Sequence, residues 1–316
     1  MGEGKIKNIC IFGTGGIGGV FGGRIANNIS ILKDNCHKVY YIARGRHLQM
    51  INSKGLILDI PGKASLVCRP EGAYESMSDI PAPDLIFLCV KGYDLDSALS
   101  DISKNIKPDT IIIPLLNGVD IYERIRKSIK QCIVLPSCVY VGAHIAEPGR
   151  VSQDSETARI ITGKDPLYPD YDFSKLKEFI SLMGIDCTFL EDSSIAIWEK
   201  YLFIASFGLV TAYSGKSFGQ VMEEPDLKEL IRGVVKEILQ IAVKKGVKLP
   251  ENIEEKTISK GNDFPYNSRT SYQRDVESKK GKNEGELFGG AILKLGQETA
   301  VDTPVTKMVY YNILSR

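Results

Sequence analysis

The sequence predicts an α/β fold: a Rossmann-type, doubly wound parallel sheet domain followed by an all-helical C-terminal domain. Three observations carry that expectation. A glycine-rich turn, Gly13-Thr14-Gly15-Gly16-Ile17-Gly18, separates the apolar run Ile6 to Phe12 from a small-residue helical stretch through Ala26. Further short runs, apolar on both faces, alternate with helical segments over the first half of the chain, as in a parallel sheet covered on both sides. Beyond roughly residue 190 strand signals nearly vanish and helical periodicity takes over.

The elements follow in order. Ile6 to Phe12 is the first strand and Lys38-Val39-Tyr40-Tyr41-Ile42-Ala43 the second; Leu85 to Val90, Thr110 to Leu115 and Ile133 to Leu135 are further β-branched or aliphatic strands. Around Val139 to Ile161 the pattern becomes alternating and punctuated by glycine, which fits antiparallel additions to the same sheet. In the second half, Ser193 to Ala212, Leu227 to Lys245 and Gly285 to Leu295 have helical spacing. Ser193 or Ser194 is placed to cap the first of these, Pro225-Asp226 to start the second and Gly246 to stop it. The expected division is therefore a dinucleotide-binding domain over 1–191 and a helical substrate and catalytic domain over 192–316, linked near Glu191-Asp192, with a cleft between them. The apolar pairs Leu230-Ile231 and Ile238-Leu239 fit either a core or the seam of a homodimer.

Composition narrows the function classes. The 316 residues are 43% apolar and 25% charged, ordinary for globular domains that need no disulfide or metal staple. With 40 Lys+Arg against 39 Asp+Glu the net charge is +1, so no global field attracts nucleic acid or an acidic membrane, and neither partner is expected. Seven cysteines are scattered without a CxxC, several inside apolar runs such as Ile9-Cys10-Ile11-Phe12 and Phe87-Leu88-Cys89-Val90; they read as reduced core thiols. The three histidines, His37, His47 and His144, lack metal-ligand spacing. Met1-Gly2-Glu3-Gly4-Lys5 has no apolar signal core, and no uninterrupted apolar run approaches the ~18–20 residues of a bilayer span. The expectation is a cytoplasmic, soluble protein without a metal.

Each position of the glycine loop has a physical role. Gly13 permits the tight turn, Gly15 lets main chain approach a pyrophosphate, and Gly18 lets the helix lie close to the sheet. Thr14, Gly16 and Ile17 complete a helix N-terminus that offers free N–H groups to phosphates. At the end of the second strand, an NAD enzyme usually has Asp or Glu to accept from the ribose 2′-hydroxyl. This chain reads Ala43-Arg44-Gly45-Arg46. A guanidinium suits a 2′-phosphate that a carboxylate would repel, so NADPH is expected, with Arg44 the main contact and Arg46 a weaker one.

Three further segments arrive in order: Val90-Lys91-Gly92-Tyr93, Leu116-Asn117-Gly118-Val119, and Trp198-Glu199-Lys200 at the opening of the helical half. Arg269-Thr270-Ser271-Tyr272-Gln273-Arg274-Asp275-Val276-Glu277 then leads through Asn283-Glu284 into a helix. With the loop, this set resembles the ketopantoate reductase (2-dehydropantoate 2-reductase) family over nearly the whole chain. The resemblance implies NADPH, a place in pantothenate biosynthesis, and reduction of a small-molecule 2-oxo acid to the 2-hydroxy acid. Carried over by position, Lys200 matches the catalytic lysine that protonates the forming alkoxide. Glu284 matches a glutamate near the nicotinamide, although one residue is inserted between Asp275 and Glu284. Asn117 matches an asparagine touching cofactor and substrate, Lys91 a strand-end lysine near the site, and Ser271 a substrate-binding serine. The chemistry agrees, since hydride transfer to a ketone builds charge on oxygen that a cationic lysine neutralises and then protonates.

The chain departs from the family pattern where asparagine usually follows the lysine by four and by eight residues; here stand Ile204 and Gly208. Positions four and eight apart share one helix face, so Lys200, Ile204 and Gly208 are expected to line one substrate wall. Leu116 stands where many members have glutamine. A substrate hydroxyl left unpaired there costs about 1–3 kcal/mol, which penalises ketopantoate and favours a 2-oxo acid with a more apolar tail or with bulk beside Gly208. A rotated helix that packs Ile204 into the core is the competing reading. Two other functions stay open: a β-hydroxyacid or opine-type dehydrogenase, and a non-catalytic NADP(H)-binding sensor or scaffold.

Overall fold

A computed structural model describes residues 6–278 and 281–315. The chain forms two compact units. One comprises the residues up to Leu116 together with Ile121–Ser193, the other Asn117–Asp120 together with the chain from Ser194 onward. The short excursion of 117–120 into the helical unit has no compositional signal; its physical basis is Val119, which packs against that unit's core. Met1-Gly2-Glu3-Gly4-Lys5, read in the sequence as lacking an apolar signal core, lies outside the described residues.

The first unit contains thirteen strands, β1 (Asn8–Phe12), β2 (Lys38–Ile42), β3 (Leu56–Asp59), β4 (Leu66–Cys68), β5 (Gly72–Tyr74), β6 (Leu85–Leu88), β7 (Ile111–Pro114), β8 (Ile133–Val134), β9 (Ser137–Tyr140), β10 (Ala143–Glu147), β11 (Arg150–Gln153), β12 (Arg159–Gly163) and β13 (Asp186–Leu190), among the described residues. Its helices are α1 (Gly16–Leu32), α2 (Gly45–Lys54), α3 (Leu95–Ile102), α4 (Ile121–Ser128) and α5 (Ser174–Leu182). The central sheet runs β5-β2-β1-β6-β7-β8 and all its pairings are parallel. β1, β6 and β7 are buried along almost their whole length, which is why they read as unbroken apolar runs. Phe12 pairs with Ile42 on one side and Leu88 on the other. Three strands therefore end level, and the glycine loop, Arg44 and Lys91 leave the sheet at one edge.

The Val139 to Ile161 region departs from expectation. It does not extend the central sheet; β10 and β11 form a hairpin in a separate sheet, β10-β11-β3-β4, and β9 and β12 join β13 in a third. The reason lies in α1. A side chain at Gly16 would collide with the Ala143 carbonyl, and one at Gly19 would come within 2.6 Å of Val151. The bare faces of these glycines are the surface on which the hairpin lies.

The helical unit contains α6 (Ser194–Ser214), α7 (Phe218–Glu223), α8 (Pro225–Lys244), α9 (Ile253–Ser259), α10 (Ser271–Glu277), α11 (Ala291–Thr299) and α12 (Pro304–Leu314), with a π-helical turn at Glu286–Gly290 where the sequence predicts the start of an ordinary helix. α6 is apolar and long enough to cross a bilayer by composition, but most of its side chains are buried inside the unit. A helix hydrophobic all round is a core helix when its neighbours cover it, and α8, α10 and α12 pack against this one. Ile231 and Ile238 are buried in the same core, with Leu230 and Leu239 packed against it. Those apolar pairs serve the fold of the unit itself. α8 stops as its spacing predicts, at Gly246, whose φ is +80°.

Candidate active site

The glycine loop is an exercise in close main-chain packing. Gly13 has φ +91°, a region L side chains avoid. Its N–H donates to Ile42 O at 3.0 Å, and the Thr14 N–H follows to the same carbonyl at 3.2 Å. The Thr14 side chain is buried, its hydroxyl donating to Ile42 O at 3.3 Å. A side chain on Gly18 would collide with the Gly13 carbonyl. Gly15, the N-cap of α1, faces open space: an added Cβ would meet nothing within 4 Å. The loop is thus tight against the sheet on one side and open on the other. The first-turn amides of Gly16, Ile17 and Gly18 add the donor field of a helix N-terminus.

Arg44 is the N-cap of α2, in extended conformation and exposed, and its guanidinium takes no acidic partner among the described residues. Arg46 is likewise exposed two residues on. Lys91 caps a 3-10 turn just past β6 and is half-buried. Gly13, Arg44 and Lys91 therefore share one end of the parallel sheet.

One residue at this edge carries no motif. His47, in the first turn of α2, is half-buried, with Nε2 at 2.8 Å from Thr14 O. The Gly149 N–H donates to its Nδ1 at 3.0 Å. An N–H donor at Nδ1 requires a lone pair there, so the ring is the neutral Nε2–H tautomer. Burial pushes the His47 pKa below its ordinary 6.5, against a smaller upward pull from the Thr14 carbonyl. Sequence reading missed it because its partners, at positions 14 and 149, are main-chain atoms.

In the helical unit, Lys200 occupies the second turn of α6 and is buried, with its Nζ donating to Asn117 Oδ1 at 2.8 Å. Asn117 is followed by Gly118 at φ +128°, a conformation that needs glycine. The lysine and asparagine singled out in the sequence thus meet, 83 residues apart. Ile204, one turn on, is half-buried and packs beside the core. Gly208 is buried, and a Cβ there would stand 3.6 Å from Tyr272 Cβ and 4.0 Å from Phe288.

Tyr272 is the second residue that the motifs did not single out. It is buried edge-on to Phe288, at 5.3 Å between ring centroids, and its hydroxyl has no hydrogen-bond partner among the described residues. Burial raises its pKa. The hydroxyl lies where a side chain on Gly285 would be, 2.5 Å from that position. Gly285 therefore makes room for the hydroxyl end of this ring, while a side chain at 208 would begin at ordinary contact distance from it. Ser271, its neighbour, is exposed at the first position of α10 behind the Thr270 cap. Glu284 is buried at 4% exposure rather than solvated. It stands two residues before the π-helical turn, whose Leu287 carbonyl accepts from the Tyr201 hydroxyl at 2.8 Å. Part of the stretch between Asp275 and Glu284, residues 279–280, lies outside the described residues.

Residues 9–166 match the family model described as "Ketopantoate reductase PanE/ApbA", and residues 194–315 match its C-terminal counterpart. The chain is 27% identical over 304 residues to the 2-dehydropantoate 2-reductase of Pyrococcus horikoshii, covering 96% of this chain and 95% of that one. It is 23% identical over 303 residues to the "Uncharacterized oxidoreductase YkpB" of Bacillus subtilis, covering 96% of each. Its fold resembles that of a D-mandelate dehydrogenase solved with NADH and anilino(oxo)acetate, with a TM-score of 0.84, 20% identity, and 98% and 97% of the two chains covered.

The neutral His47 makes stability depend on pH. Below about pH 6.5 the unfolded chain protonates this ring while the folded protein resists, so the unfolded state binds more protons and stability falls with pH. The contribution is complete above pH 6.5 and is lost as pH drops from there through the lowered folded-state pKa. Urea midpoints at pH 7.5 and about pH 5 should fall further in the wild type than in His47→Gln; equal falls would refute the neutral-histidine account.

Proposed function

The chain belongs to the ketopantoate reductase family and is an oxidoreductase of 2-oxo acids, and from that premise we propose that it uses NADPH, with Lys200 as the proton donor. The observation that carries the proposal is the buried Lys200 ammonium held on Asn117 Oδ1 at 2.8 Å. The residues present suit a dinucleotide: the loop is open at Gly15 and bare at Gly18, and Arg44 stands exposed at the end of β2 with no acidic partner among the described residues. Gly13 to Gly18 would hold the pyrophosphate, and Arg44, aided by Arg46, the 2′-phosphate. Lys91 and Asn117 are assigned to the cofactor as well. When bound, the reduced nicotinamide supplies the hydride.

The protein's own groups do the rest. Asn117 orients the Lys200 ammonium. The ammonium polarises the substrate carbonyl, neutralises the charge that grows on its oxygen, and gives up a proton to it. Glu284 is assigned as a second catalytic group, and Ser271 as a ligand for substrate. Buried positions of Lys200 and Glu284 exclude the water that would weaken both charges.

For the substrate we favour a 2-oxo acid with an apolar tail over ketopantoate. Ile204 offers no hydrogen bond one turn beyond Lys200. The neighbourhood of Gly208 is filled by Tyr272 and Phe288 rather than by an amide. D-mandelate dehydrogenase, of like fold, was solved with an aryl-substituted oxo acid, anilino(oxo)acetate. That neighbour's NADH makes the cofactor a question for direct measurement.

Oxidation of NADPH with a panel of 2-oxo acids, followed by absorbance, should show turnover. Lys200→Ala should lower kcat by about 10²–10⁴-fold with cofactor affinity unchanged. Tight cofactor binding with no turnover of any acid would instead assign the chain a sensing or scaffold role. Removing the charge-assisted contacts of Arg44 should weaken NADPH binding about 10–100-fold and leave NADH nearly untouched; an unchanged NADPH preference in Arg44→Ala refutes that role. Ile204→Asn should raise kcat/KM for ketopantoate about 5–100-fold relative to a simple branched 2-oxo acid. A wild type that already prefers ketopantoate to every branched acid overturns the apolar-tail reading.

A further inference from the structure

The cofactor loop contains one peptide unit that its own glycines leave free to turn. Thr14 is fixed at its N–H and at its hydroxyl, both bonded to Ile42 O. Gly15, by contrast, has no neighbour within 4 Å of its missing side chain, and glycine tolerates nearly any backbone rotation. The Thr14–Gly15 peptide is planar, so the direction of the Thr14 carbonyl sets that of the Gly15 N–H on its opposite side. That carbonyl is bonded to His47 Nε2 at 2.8 Å. On its other edge the same imidazole accepts from Gly149 N–H at 3.0 Å, at the turn of the β10–β11 hairpin.

Resting on the dinucleotide reading above, we propose that His47 is a positioning residue for cofactor binding. By holding the Thr14 carbonyl, it presets the Gly15 amide for the pyrophosphate before any dinucleotide arrives. Gly149 in turn holds the ring. It has φ +82°, and a side chain there would come within 2.6 Å of Met50 Cβ, so the hairpin turn packs directly on α2. A free energy that the protein has already spent on ordering this peptide is not charged against binding. The hydride and proton steps do not involve His47, so its loss should act on affinity and leave the chemical step intact.

Direct titration with NADPH tests this without requiring turnover. His47→Ala should raise the NADPH Kd about tenfold, the size expected for a lost hydrogen bond that orders a binding group. Its KM for NADPH should rise in parallel, while kcat at saturating cofactor, with the best 2-oxo acid of the panel, stays within about twofold. The two edges of the ring separate in conservative variants. Gln carries a nitrogen donor at about the reach of Nε2 and should recover most of the affinity; Asn offers an acceptor near Nδ1, supports only the hairpin bond, and should recover little. A folded His47→Ala with wild-type Kd, an Asn variant as good as Gln, or a loss confined to kcat would each overturn the assignment. Should the alanine variant not fold, the Gln and Asn comparison decides alone. A wild type that binds neither NADPH nor NADH would sink the dinucleotide reading itself; normal wild-type binding with unaffected variants sinks only the role of His47.

Discussion

Everything in the first unit depends on main chain touching main chain at the start of α1. The helix can lie against the sheet and the hairpin only because Gly18 meets the Gly13 carbonyl and Gly16 the Ala143 carbonyl, with no side chain between. Such contacts are costly to order, since glycine loses the most conformational freedom on folding. The surrounding layers offset that cost by burying β1, β2 and β6 almost completely. They also leave the helix N-terminus at the level edge where three parallel strands end. Close packing on one face and open space at Gly15 on the other are two consequences of one composition.

In the helical unit the governing constraint is electrostatic. A buried ammonium needs partners, and one that Lys200 has is an amide oxygen. The amide oxygen of Asn117 accepts from the Lys200 ammonium at 2.8 Å and fixes its direction without adding a charge of its own. Helix α6 can carry a lysine in an otherwise apolar core because residues 117–120 fold into this unit and bring that oxygen with them.

The features legible in the sequence are those whose causes are local. The glycine turn between a buried strand and a helix, the stop of α8 at Gly246, and the run of both-face apolar strands all follow from backbone chemistry within a few residues. What escaped is non-local. Val139 to Ile161 alternates like any antiparallel strand pair, and only the bare face of α1 decides that the hairpin lies on the helix rather than at the sheet edge. Glu284 sits in a polar run and is nonetheless buried, and the π-helical turn that follows, bonded to the Tyr201 hydroxyl, is invisible to a 3.6-residue period. His47 could not be found by motif at all, since it binds two peptide groups and no side chain.

Gly208 illustrates how one substitution redistributes meaning along a face. In sequence it reads as a missing amide and a gap. In three dimensions the gap has an occupant: Tyr272 Cβ stands 3.6 Å from the position of the absent side chain. A side chain at 208 would start at ordinary contact distance from Tyr272 and Phe288. Glycine at 285 is what the far end of the Tyr272 ring requires, since a side chain there would stand 2.5 Å from the Tyr272 hydroxyl. The ring keeps a hydroxyl without a partner among the described residues, a state that costs free energy wherever it occurs. The helix face at 204 and 208 thus carries no side-chain hydrogen-bonding group. Under the function proposed above, the polarity lost at Ile204 and Gly208 falls on recognition of the substrate tail, while Lys200 and Asn117 keep the 2.8 Å contact that the proposed proton transfer needs.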